Sequence, residues 1–225
     1  SPIYYAVQKD IDIRTGGPTL IDFDMQRISQ RINIILNIRT EGDIKKEDLL
    51  PPIIELSGAC GHFNISEACL DTTRLYRMVH QAQPDEFTQT GENTYRCVVH
   101  FHTLGVIPSA AKGHLNGPGI LQVALQVSAN RLDASGAPVL DQDGKPVKNS
   151  RYIYGAINPY DELTAAQLIE VRDGKTYLRY SKDDVNIEIT SPLVIKADQI
   201  VSDDTGMGWQ PNDPTNPDDD IIIEI

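Results

Sequence analysis

Over residues 121–128 the chain alternates Leu121, Val123, Leu125 and Val127 with Gln122, Ala124, Gln126 and Ser128, and this period of two is its tightest constraint on fold. Successive side chains of a strand point to opposite faces, so the run gives one buried face and one wet one. The same period recurs from Tyr95, with Tyr95, Cys97, Val99 and Phe101 on one side and Arg96, His100 and His102 on the other. It returns at Val185, Ile187 and Ile189, then at Leu193 and Ile195. Asp143-Gly144 and Asp173-Gly174 supply the positive-φ positions of tight turns, and the second pair predicts a hairpin between residues 168–171 and 176–180. A helix opening at Thr164 competes for the first arm of that hairpin.

Before Tyr95 the periodicity is mixed. Residues 3–13, with Ile-Tyr-Tyr-Ala-Val and then Asp-Ile-Asp-Ile, fit an exposed or edge strand that Gly16-Gly17-Pro18 ends. Met25, Ile28, Ile32, Ile35 and Leu36 recur at spacings near three and four after Asp22, which predicts a helix over 22–38. Ile32, Ile34, Leu36 and Ile38 also alternate as they would in a strand. Pro51-Pro52 precedes a short apolar strand at Ile53-Ile54-Glu55-Leu56. Asn64 and Glu67 have capping-box spacing, and Ala68, Leu75, Tyr76 and Val79 continue one helical face, predicting a second helix over 65–82. The expected fold is therefore α+β and mainly β, an antiparallel sheet or sandwich with two helices from the N-terminal half.

The expected organisation is a single β-rich domain over 1–208 and an arm over 209–225. That arm is an acidic spacer rich in proline, asparagine and aspartate, ending in Ile221-Ile222-Ile223-Glu224-Ile225. Four isoleucines after such a spacer call for burial, either on a neighbouring subunit by strand addition or back on the parent sheet. Ile221, Ile222, Ile223 and Ile225 are thus the candidate assembly interface.

Composition removes several classes. With 225 residues, 40% hydrophobic and 23% charged, the chain can bury a core of its own. A net charge of -12 repels phosphates, and the densest basic stretch, Arg27, Arg31, Arg39, Lys45 and Lys46, is interleaved with Glu41, Asp43, Glu47 and Asp48, so nucleic acid is not an expected partner. No apolar run approaches the roughly 20 residues of a membrane span. The opening Ser1-Pro2-Ile3-Tyr4-Tyr5 lacks the pattern of a secretory signal, so synthesis in the cytosol is expected. Cys60, Cys69 and Cys97 are too few for a disulfide framework or paired zinc ligands; buried free thiols are the simplest account, with a Cys60–Cys69 bridge as the oxidised alternative.

Candidate chemistry is sparse. His100-Phe101-His102 sends two imidazoles to one face of a strand, with His114 nearby in sequence, the element from which a cupin-like metal enzyme would be built. The acidic ligand expected soon after is absent from residues 103–107. Asp141-Gln142-Asp143-Gly144 has the start of a calcium loop, but Val139 precedes it and Lys145-Pro146-Val147 follows, where an EF-hand needs oxygen ligands. No phosphate-binding glycine loop, nucleophile elbow or dinucleotide fingerprint occurs. No cofactor is implied. A carbohydrate-binding module would rest on exposed aromatic faces, for which 6% aromatic content is thin.

Residues 185–198, Val-Asn-Ile-Glu-Ile-Thr-Ser-Pro-Leu-Val-Ile-Lys-Ala-Asp, resemble the short repetitive strands near the ends of tailed-phage baseplate and spike proteins. That resemblance implies a non-enzymatic virion component in a tail, baseplate, neck or capsid-decorating role. It would be made in the host cytoplasm and held to copies of itself and to other structural proteins through its arms.

Overall fold

The structure is a computed structural model that describes residues 3–196 apart from 14, 43, 132 and 180–183. The terminal arm over 209–225, with the four isoleucines, lies outside the described residues. Two sheets make up most of the rest. The larger is built from β4 (Ile53–Asn64), β5 (Cys69–Gln81), β8 (Leu121–Asn130), β9 (Lys148–Ile157), β10 (Ile169–Arg172) and β11 (Lys175–Leu178), in the order β10-β11-β5-β4-β8-β9. The smaller has the order β12-β3-β7-β6, from β3 (Gln30–Glu41), β6 (Phe87–Gly91), β7 (Thr94–Thr103) and β12 (Asp184–Lys196). A two-stranded ribbon joins β1 (Tyr4–Tyr5) to β2 (Gln26–Arg27). The one parallel pair among the described strands is β12 on β3.

The two sheets share one core. Ile32, Ile34, Leu36 and Ile38 of β3, Tyr95, Cys97, Val99 and Phe101 of β7, and Ile187, Ile189, Leu193 and Ile195 of β12 face Ile54 and Leu56 of β4 and Leu121, Val123, Leu125 and Val127 of β8. The inner positions of β7 and β8 are those the alternation assigns, because a strand half in water must place every second residue inward. Cys60, Cys69 and Cys97 are free and buried. Among the described residues no helix is long and apolar enough to cross a membrane.

Both expected N-terminal helices are strands. Residues 22–38 lead through β2 into β3, where Ile32, Ile34, Leu36 and Ile38 turn inward while Arg31, Asn33, Asn37 and Arg39 stay at least partly exposed. The helical spacing was produced by Ile35, which is buried on the opposite face, and by Met25, which is exposed. Four isoleucines in twelve residues favour an extended backbone, and pairing on both sides with β7 and β12 completes its hydrogen bonds. Residues 65–82 are the β4–β5 turn and β5 itself. The capping chemistry is real but closes a turn: Asn64 Oδ1 accepts from the Ser66 and Glu67 amides at 3.1 and 3.3 Å, and Ala68 takes φ 55°. Leu75, Tyr76 and Val79, expected on a buried helical face, are exposed.

The single described α-helix, α1 (Tyr160–Ala166), spans the place where a helix opening at Thr164 competed with the hairpin. It ends at Gln167, φ 50°, and leaves Ile169–Arg172 to pair with Lys175–Leu178 around Asp173-Gly174, as the turn chemistry predicts. Residues 3–13 form a strand only at Tyr4–Tyr5.

Gly58 bends β4 at a register shift. Its φ is +83°, the Ile107 amide donates to its carbonyl at 2.9 Å, and the Gly119 amide donates to Ser57 O at 3.1 Å. A Cβ there would lie 2.6 Å from Gly119 N and 2.7 Å from Ile107 O, so only glycine admits the approach of these three segments.

Candidate assembly surface

Residues 3–28 leave the sandwich as a long arm and return to it. The base is tied: Tyr4 and Tyr5 pair with Arg27 and Gln26, the Ile28 amide donates to Ile3 O at 2.8 Å, and the Ile3 amide donates to Ser29 Oγ at 2.8 Å. The Tyr5 ring packs edge-on against Phe63 with centroids 4.8 Å apart, and Lys9 Nζ donates to Ser66 O at 3.2 Å. Beyond that, the described residues between 6 and 25 form no strand or helix.

Nine large apolar side chains between residues 3 and 25 stand in water, the most open being Leu20 at 87%, Ile13 at 76%, Phe23 at 58% and Met25 at 57% exposed. Scattered exposed apolar residues are ordinary, but such a density on one segment marks a contact surface. Each flank alternates acid with apolar, Asp10-Ile11-Asp12-Ile13 going out and Ile21-Asp22-Phe23-Asp24-Met25 coming back. That is the pattern of a strand with one face to bury.

The sheets also leave backbone uncovered. β11 meets β5 only at Thr176–Leu70, so among the described residues the remainder of β5 has β4 on one side and no strand on the other. Thr72, Thr73, Arg74, Leu75, Tyr76, Arg77 and Val79 along it are all exposed.

The histidines do sit together, on the outer face of the smaller sheet. His100 Nδ1 is 2.7 Å from Asn33 Oδ1, and Asn33 Nδ2 donates to Asn186 Oδ1 at 2.7 Å, a polar row running across β7, β3 and β12. Desolvation, with the Arg31 and Arg27 charges, holds the His102 imidazole below its usual range. His114 lies apart in a loop, where its main-chain oxygen accepts from Asn158 Nδ2 at 2.7 Å. Among the described residues no three His, Cys, Asp or Glu side chains are grouped to hold a metal ion.

Asp141 caps its own turn: Oδ1 accepts from the Asp143 and Lys145 amides at 2.9 and 2.8 Å. Asp133 does the same with Ser135 and Ala137 at 2.8 and 3.0 Å. The two turns repeat one pattern, Asp133-Ala-Ser-Gly-Ala-Pro-Val139 and Asp141-Gln-Asp-Gly-Lys-Pro-Val147, a signal that the Asp143-Gly144 pair alone does not carry. Val139 N–H donates to Arg131 O, Val147 N–H to Val139 O and Arg131 N–H to Val147 O, so the pair forms a closed two-leaf tip on the β8–β9 hairpin.

At the open side of the sandwich, His80 of β5 meets Glu86, just before β6, at 2.8 Å. Burial pushes the Glu86 carboxyl up, but the hydrogen bonds to His80 and from the Gln83 amide outweigh it and hold the group below its ordinary range. The contact ties one sheet to the other.

No family model, curated protein or solved structure matches this chain.

Proposed function

We propose that this chain is a non-enzymatic structural and interaction protein that works by contact within a larger assembly. In this reading it is a virion component of the tailed-phage kind, in a tail, baseplate, neck or capsid-decorating position. The arm carries the reading: nine exposed apolar side chains on one segment with almost no internal pairing have a physical rationale when another surface covers them. The phage-like character rests on the resemblance over residues 185–198, of which 185–196 lie in β12.

The partners are then copies of the chain and other structural proteins, and the net charge of -12 argues against nucleic acid among them. Ile221, Ile222, Ile223 and Ile225 would add a second apolar contact at the other end of the chain. Sedimentation velocity over a concentration series, for the whole chain and for one ending at Asp220, tests the reading. The whole chain is expected to sediment as an oligomer and the shortened one as a smaller species. An oligomer indifferent to the truncation removes the four isoleucines from the interface; a whole chain that stays monomeric throughout, and captures no virion protein when mixed with disassembled particles, overturns the assembly role.

A further inference from the structure

We infer that the returning flank of the arm, residues 21–25, adds as a strand to the open edge of β5 in a second copy of this chain. The inference rests on the assembly role proposed above and names its partner and geometry. β5 runs thirteen residues, and beyond Leu70 its outer edge has no neighbouring strand among the described residues. Over 72–81 that edge has no proline, no lysine and no covering helix, and a register shift against β4 lies at one end of it, between Asp71 and Leu75. It does carry exposed Leu75 and Val79 with Arg74 and Arg77 between and beside them.

Residues 21–25 are its complement. In an extended backbone Ile21, Phe23 and Met25 share one face, and Asp22 and Asp24 share the other. With Phe23 set opposite Arg77, in either strand direction, Ile21 and Met25 fall beside Leu75 and Val79, and the Phe23 ring has a guanidinium as its cross-strand neighbour. The two aspartates fall on the other face beside Tyr76 and Met78, one of them diagonal to Arg74. Arg77 keeps Glu55 at 3.4 Å, and Asp71 accepts from the Thr73 amide and hydroxyl, so the acids of β4 and β5 nearby are already engaged. The two surfaces differ, which makes the contact head-to-tail: each copy offers one arm and one edge, and copies can close a ring or extend.

A mixing experiment separates this contact from any other. One variant blocks the edge, Leu75→Lys with Val79→Lys; the other blocks the arm, Phe23→Lys with Met25→Lys. All four positions are exposed, so both variants are expected to keep the unfolding midpoint of the parent. Alone, each is expected to scatter as a smaller species than the parent, held by no more than the C-terminal contact. Mixed in equal amounts, they should regain mass, because one intact arm then meets one intact edge in each mixed pair. If the parent chain associates and the mixture gains no mass over the separate variants, or either variant associates as the parent does, the arm-to-β5 contact is wrong while the assembly role stands. If the parent chain captures virion protein but never itself, self-docking is overturned without touching that role.

Discussion

Replacing Ile13, Leu20 and Phe23 together by serine separates folding from association. Full burial of such a side chain is worth roughly 1.5–3 kcal/mol. The three are 76%, 87% and 58% exposed, so most of that free energy is unused by the isolated chain and is released only when a partner covers them. Scaling by exposure gives about 1–2 kcal/mol for each on association and roughly 3–6 kcal/mol together; at about 1.4 kcal/mol per decade, affinity falls by between about 10²- and 10⁴-fold. The lower end is the safer expectation, since burial at interfaces converts incompletely into affinity. Folding should change by no more than about 0.5 kcal/mol per site, the usual span for surface substitutions. Urea titration of the monomer and sedimentation equilibrium of the assembly read the two quantities apart. A fall of several kcal/mol in monomer stability would place the arm in the chain's own core, and unchanged association would show that nothing covers it; either result refutes the reasoning.

Three further outcomes are expected. Gly58→Ala should cost about 3 kcal/mol in urea unfolding, from a positive φ worth about 1–2 kcal/mol and one or two lost backbone hydrogen bonds near 1 kcal/mol each; a near-neutral result would mean that the three segments do not meet as closely as described. The Glu86 carboxyl is held below its ordinary range near about 4.3, so its contribution is complete above that pH and is lost as pH falls through the depressed folded value. Glu86→Gln should therefore lower stability at pH 7 by about 1–3 kcal/mol and flatten the acid limb of the stability curve, whereas an acid limb parallel to the parent's counts against the His80–Glu86 tie. Burial pushes the Cys97 thiol up to about 12 and the Cys60 thiol up to about 11. Native protein at pH 8 should thus react with a thiol reagent only as it unfolds, and rapid stoichiometric labelling would contradict the burial.

The β-rich class was legible because alternation is a local property. Residues 95–101 and 121–127 carry their inward and outward faces in the sequence, and Asp173-Gly174 carries its turn. Residues 22–38 satisfied two periods at once, and nothing within the segment chose between them. The choice came from β7 and β12, which pair with β3 along almost its whole length and satisfy its amides from both sides. At 65–82 the signal was true at short range, a side chain capping backbone amides, but a hairpin turn uses the same hydrogen bonds as a helix start.

The candidate surface divides the same way. The greasy, charged pattern of residues 10–13 and 21–25 is written in the chain, and so is the closing run of four isoleucines. Whether an apolar residue lies in a core or in water is not: Met25 and Val79 fit a helical face in sequence, yet both stand exposed once β3 and β5 have taken their partners. An open edge is still less visible, since it is a missing neighbour rather than a residue. What the sequence determined by itself is the alternation that makes this protein a sheet-former. Only the tertiary structure decided which strand edges are closed and which are left, because pairing joins residues far apart in the chain and no local pattern specifies both partners.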